Sequence, residues 1–170
     1  MEKLDVYSLN RERTGRVLSR ENVFGELAED ERILLVHACV FDSDGRMLIQ
    51  QRQITKDRYP GCWDVSAGGF VSAGEESTQA VSRELSEELG LSVPESSFVF
   101  TCCEPFGKVL DDFYSIFIDL DISALRLQET EVMRADWADR KTVLQFIRDG
   151  QFVDYSEDLI NRLFDKAESR

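Results

Sequence analysis

Apolar and polar positions alternate along this chain in ways that separate strands from helices. From Arg32 to Phe41 the run ILLVHACVF is almost wholly apolar and rich in branched side chains. That pattern predicts a strand buried on both faces. Asp42-Ser43-Asp44-Gly45 is a turn, and Met47 to Arg52 predicts the strand that returns from it. Residues 1 to 22 alternate loosely around Leu4, Val6, Leu9 and Val17, with a turn signal from Asn10 to Gly15. An N-terminal β-hairpin is expected there. Leu27 to Asp30 reads as a connector and Thr55 to Gly61 as a loop, while Trp63 to Ser66 predicts a short strand leading into Gly68-Gly69. Ser97 to Glu104 and Asp112 to Leu120 read as strands paired across a Pro105–Asp111 turn, and Glu129 to Trp137 holds a further short strand.

Three stretches carry the helical period instead. Val81, Leu85 and Leu89 repeat every four residues, with Ser77 as N-cap and Gly90 just past the end. Val143, Leu144, Phe146 and Ile147 mark a helix in Asp139–Asp149 that stops at Gly150. Leu159, Ile160, Leu163 and Phe164 give the buried face of a helix over Ser156–Ala167. No internal repeat, low-complexity tract or linker interrupts the series. The expectation is an α/β fold in one domain over residues 1–170, a mixed β-sheet flanked by helices.

Composition narrows the function classes. The chain has 170 residues, 42% of them apolar and 31% charged, as in soluble globular proteins. No apolar run is long enough to span a membrane, and the N-terminus lacks the apolar core of a signal peptide. A net charge of −13 argues against nucleic acid or an anionic membrane as partner. Cys39, Cys62, Cys102 and Cys103 show no paired spacing, and His37 is the single histidine, so a zinc site is not expected. Reduced thiols in a cytoplasmic protein fit this usage.

The helix of Val81, Leu85 and Leu89 is where charge stops serving stability. Glu84 and Glu88 lie one turn apart and Glu87 sits on the adjacent ridge, so three carboxylates share one face. Like charges at this spacing cost a few tenths of a kcal/mol, and acids in a last turn meet the negative end of the helix dipole. Hard oxygen donors converging in this way suit Mg²⁺ or Mn²⁺.

The spacing around those acids has a known counterpart. Gly69, Glu75, Arg83, Glu84, Leu85, Glu87, Glu88, Gly90 and Leu91 occupy every fixed position of the Nudix box, G-x5-E-x7-R-E-U-x-E-E-x-G-U with U apolar. Over residues 69–91 the chain resembles the Nudix hydrolases, and its order of strands and helices resembles their α/β/α sandwich. The resemblance implies Mg²⁺- or Mn²⁺-dependent hydrolysis of a diphosphate linkage in a small molecule, usually a nucleoside diphosphate joined to another group. It implies Glu84 and Glu88 as principal metal ligands, Glu87 sharing a second ion, and the carbonyl of Gly69 completing the site. Arg83 would orient Glu84 through a charged hydrogen bond, and Glu75 would support the turn into the helix. Glu87 is the candidate general base within the box, and Glu104, Glu129 and Glu131 are candidates outside it.

Gln50-Gln51-Arg52, Lys56 and Tyr59-Pro60-Gly61-Cys62-Trp63 resemble the Q-Q-R…K…P-G-x-W segment of isopentenyl-diphosphate isomerases and their hydrolase relatives. In those proteins the Arg and Lys hold the substrate's diphosphate, which makes Arg52 and Lys56 the candidate substrate-binding cations. Isomerase activity is disfavoured because Gly68 stands where those enzymes carry a catalytic cysteine and Phe70 where they carry a histidine. A Nudix-fold nucleotide sensor without turnover is the other alternative, although such proteins lose box glutamates and none is lost here. The N-terminal hairpin either covers the cleft or exchanges with a second subunit in a homodimer.

Overall fold

Strand β3 (Glu31–Phe41) is the strand that the sheet is built on. In the computed structural model, which describes residues 1–169, it pairs in parallel with β8 (Val109–Phe117) from Ile33↔Val109 to Phe41↔Phe117. On its other side β6 (Ala67–Phe70) runs antiparallel, placing Leu35 opposite Phe70 and His37 opposite Gly68. β1 (Lys3–Ser8) and β4 (Met47–Arg52) join β3 near its two ends. Hemmed in on every side, β3 must be apolar on both faces, and Ile33, Val36, Cys39, Val40 and Phe41 are fully buried.

Helices cover the two faces. α2 (Ser77–Leu89) lays Val81, Leu85 and Leu89 on Val36, Ala38, Val40 and Leu48. α3 (Arg140–Arg148) and α4 (Glu157–Glu168) close the opposite face with Val143, Ile160, Leu163 and Phe164 on Phe41, Ile49 and Phe113. The expected α/β/α layering is therefore present. β1 and β2 (Arg13–Ser19) form the N-terminal hairpin, and β1 and β2 contribute Leu4, Val6 and Leu18 to a third cluster with Ile33 and Val109. At its tip, Arg11 adopts a left-handed backbone (φ 64°), and its guanidinium pairs with the fully buried Asp112.

Several boundaries differ from expectation, each for a tertiary reason. A short helix α1 (Val23–Glu26) precedes the Leu27–Asp30 connector; one turn carries no readable period, and Val23 is held by the hairpin cluster. Gly68 and Gly69 lie inside strand β6, separate from β5 (Trp63–Asp64), because pairing with β3 overrides their low strand preference. β7 (Val99–Phe106) keeps Pro105 in the strand, and the turn to β8 is only Gly107-Lys108 rather than Pro105–Asp111. Among the described residues β7 pairs with β8 alone, so a proline on this edge strand is tolerated. β9 (Val132–Ala138) pairs with β4. The N-cap of α2 is Glu76, not Ser77. Glu76 and Gln79 form a reciprocal capping box, while the Ser77 hydroxyl meets Tyr114 Oη at 2.5 Å.

Candidate active site

A cavity of about 740 Å³ opens beside β6 and gathers residues from the hairpin, the sheet, α2 and the segment before α4. Two glycines make room for it. A Cβ on Gly69 would stand 2.1 Å from Glu84 Oε1, and one on Gly68 would stand 2.6 Å from His37 Nδ1. Neither position admits a side chain unless its neighbour moves. β6 thus presents bare backbone to the carboxylates of α2.

Arg83 organises those carboxylates. Its Nε and Nη2 donate to the two oxygens of Glu75 at 2.9 and 3.0 Å, Nη1 donates to Glu84 Oε1 at 2.6 Å, and Nη2 also reaches the Phe70 carbonyl at 2.9 Å. Such forked contacts fix the side chain in direction as well as distance. Burial works to raise Glu75, but Arg83 and the Ser72 amide hold its carboxyl below the usual range. Glu75 braces Arg83 from outside the cavity wall.

Glu84 and Glu88 are pushed the other way. Desolvation raises both, and Arg83 only partly offsets it at Glu84. Glu88 is 7% exposed, and burial together with the charge of Glu84 pushes it up to about 8. It accepts hydrogen bonds from Gln50 Nε2 at 2.7 Å and from the Gly68 amide at 3.3 Å. Glu87 is half exposed, 3.4 Å from Arg83.

The cationic side of the cavity is built on β4 and the loop after it. Arg52 Nη1 donates to Asp64 Oδ2 at 3.0 Å, and its Nη2 reaches the Arg58 carbonyl at 3.1 Å. Lys56 pairs with Glu131 across the opening. Across the sheet, Tyr155 Oη donates to Asp64 Oδ1 at 2.8 Å and lies 3.5 Å from His37 Nδ1, while His37 Nε2 meets Asp111 Oδ1 at 3.1 Å. Burial lowers the His37 pKa, but the Asp111 carboxylate, with Asp64 behind it, more than offsets this and raises it above the ordinary value.

Of the eight box and cation candidates, seven line one cavity, Arg52, Lys56, Gly69, Arg83, Glu84, Glu87 and Glu88, and Glu75 lies outside it. Of the three outside acids, Glu131 lines it and Glu104 and Glu129 do not; Glu104 is paired with Arg162 at 2.8 Å. His37 is buried, hydrogen-bonded to Asp111, and forms part of the cavity wall. Gln50, Asp64, Asp111 and Tyr155 were not among the candidates. Their signal lies in pairings between distant segments.

Hard, desolvated oxygen donors that repel one another are the chemistry a divalent cation relieves, and Glu84 and Glu88 fit that description. Among the described residues no three Asp, Glu, His or Cys side chains converge into a closed metal cage. Glu84 is turned to Arg83, Glu88 to Gln50, and Glu87 outward.

A family model described as NUDIX domain matches residues 31–155, which contain this whole arrangement apart from the hairpin. The chain belongs to the Nudix family. It is a hydrolase of diphosphate bonds, from a family whose members generally use divalent metal ions. An uncharacterized Nudix hydrolase of Listeria monocytogenes is 36% identical over 165 residues, covering 96% of this chain and 94% of that protein. An isopentenyl-diphosphate Δ-isomerase of Escherichia coli is 34% identical over 113 residues, covering 64% of this chain and 62% of the isomerase. A Deinococcus radiodurans protein of known structure shares the fold with a TM-score of 0.79 and 23% identity, over 95% of this chain and 99% of that one. At Gly68, where the isomerase resemblance leads one to expect a cysteine, a side chain would have to displace His37.

Proposed function

We propose that this Nudix hydrolase cleaves the diphosphate linkage of a small nucleoside diphosphate derivative with Mg²⁺ or Mn²⁺, water attacking phosphorus. One observation carries the reading: two mutually repelling carboxylates, the buried Glu88 and the partly buried Glu84, lie against a bare glycine strand beside the cations Arg52 and Lys56. In this reading Glu84 and Glu88 are the principal metal ligands, with Glu87 and the Gly69 carbonyl beside them. Bound metal would neutralise the diphosphate oxygens and make water more acidic. Arg83, braced by Glu75, holds Glu84 in place. Arg52 and Lys56 receive the diphosphate, exchanging part of their pairing with Asp64 and Glu131 for its oxygens. Glu87, the most exposed box acid, accepts the proton of the attacking water; Glu131 is the alternative base from outside the box.

The whole chain is read as one Nudix domain whose N-terminal hairpin serves as a cleft cover. Glu2, Arg20 and Phe24 on the cavity wall support covering over exchange, and size-exclusion chromatography tests the homodimer. Four free cysteines support a cytoplasmic location. Among the described residues no helix is long and apolar enough to cross a membrane.

The test is phosphate release from a panel of nucleoside diphosphate conjugates with and without Mg²⁺. Turnover that needs metal and disappears in Glu84→Gln and Glu88→Gln supports the proposal. Binding without turnover would make the protein a nucleotide sensor, and conversion of isopentenyl diphosphate to its allylic isomer would make it an isomerase.

A further inference from the structure

The cavity has a second pole that diphosphate chemistry does not employ. Phe70 on β6 and Asp111 on β8 both lie opposite Leu35 of β3, so their backbones are two strand spacings, about 10 Å, apart. The same cavity is lined both by the carboxylates of α2 and by Asp111. Asp111 is set there with care. His37 takes its Oδ1, Phe113 stacks on His37 with centroids 4.6 Å apart, and Tyr155 stands at the ring's other nitrogen. Asp111 Oδ2 has no hydrogen-bond partner among the described residues, although the side chain is only 14% exposed and lines the cavity. Leu35, Phe70, Val109, Phe106 and, from α1, Phe24 line the same cavity as an apolar shelf, with the Arg20 guanidinium over the Phe70 ring at 4.7 Å. Phe24 and Phe106 are 49% and 57% exposed, which leaves aromatic surface for stacking.

We propose that this pole receives the base of the substrate and that Asp111 selects amino-bearing bases, namely adenine, cytosine and guanine, over uracil and thymine. The proposal rests on the hydrolase reading above. An aliphatic chain would fill the shelf, but it would strip water from Asp111 and return no hydrogen bond, an outcome costly for a charged acceptor. A planar ring with an N–H edge satisfies both the shelf and the acceptor. Uracil and thymine flank their pairing N–H with two carbonyl oxygens, which a carboxylate repels. Adenine, cytosine and guanine carry an amino group to donate, and a site built around a hydrogen bond rejects analogues that lack it.

The experiment compares kcat/KM of the full chain with Mg²⁺ for CDP-glucose, ADP-glucose, GDP-glucose and UDP-glucose, which share a leaving sugar. The expected result is a preference for the three amino-bearing bases of about tenfold or more, expressed in KM rather than kcat. In Asp111→Asn, whose amide both donates and accepts, the preference collapses toward unity. CMP and UMP titrated into the wild-type protein give the same ratio without turnover and without any variant. Equal kcat/KM across the bases, an unchanged preference in Asp111→Asn, or better hydrolysis of an isoprenyl diphosphate than of any nucleotide would each overturn the assignment. Hydrolysis that ignores the base sinks only this inference. No hydrolysis of any conjugate with Mg²⁺ sinks the hydrolase reading instead, and the CMP/UMP ratio still decides this one.

Discussion

Helices α2 and α4 have nearly the same length, 13 and 12 residues, and opposite electrostatics. α4 places Glu157 and Asp158 in its first turn and Lys166 in its last, and the Ser156 hydroxyl accepts the Leu159 amide at 3.1 Å. Each of these choices favours the helix through its dipole and its cap. α2 has no acid in its first turn and no base in its last, and it carries Glu84, Glu87 and Glu88 toward its negative end. It also buries one of them, Glu88. Both helices bury a comparable apolar stripe, so packing does not account for the difference. α4 is built to stay folded, whereas α2 gives up stability to hold charge, which in the proposed reading serves a cation and a diphosphate.

The widest separation should come from the acids themselves. Glu84→Gln and Glu88→Gln should each lower phosphate release by about a hundred- to a thousandfold, the scale of losing one preorganised electrostatic contact. Circular dichroism should show both variants folded. On α4 the opposite outcome is expected: Leu163→Ala, at a fully buried position, should cost about 3 kcal/mol in urea unfolding and leave kcat/KM of the folded protein unchanged.

Acidity separates the helices next. The folded pKa of Glu88, about 8, lies above the usual carboxylate value, so in this range the folded state keeps a proton that the unfolded chain releases. Stability of the chelator-treated protein should therefore fall as pH rises, by about 2 kcal/mol between pH 6 and pH 8. Glu88→Gln should flatten that slope. Glu157 of α4 behaves in the opposite sense, because Arg148 holds its carboxyl below the usual range. Its contribution is present at neutral pH and is lost as acid protonates it. The smallest effect is Ser156→Ala, which removes the α4 cap for about 1 kcal/mol without touching activity.

What could be read from the sequence was whatever repeats locally. The apolar run of β3, the four-residue spacing in α2 and the stripe of α4 each report their own burial. Glu84, Glu87 and Glu88 were legible too, because their spacing alone brings them to one helix face. Other features are settled only by partners far along the chain. Gly68 and Gly69 have no strand signal, and they become a strand by lying against Val36 and His37. Ser77 looks like a cap, yet Tyr114 claims its hydroxyl and Glu76 caps instead. Gln50, which donates to Glu88, and the Asp111–His37–Tyr155–Asp64 series join residues as much as 118 positions apart. No local pattern encodes such a series. Glu104 and Glu131 were alike as sequence candidates, and the strand pairing that puts one beside Lys56 sends the other to Arg162.

The central claim is that α2 gives up stability in order to hold a divalent cation. The most direct measurement is a Mn²⁺ titration of chelator-stripped protein, followed by electron paramagnetic resonance of the free ion and by Tm. Wild-type protein should take up Mn²⁺ and gain Tm, while Glu84→Gln and Glu88→Gln should bind far more weakly and gain little. Equal Mn²⁺ uptake and equal stabilisation in all three proteins would contradict it.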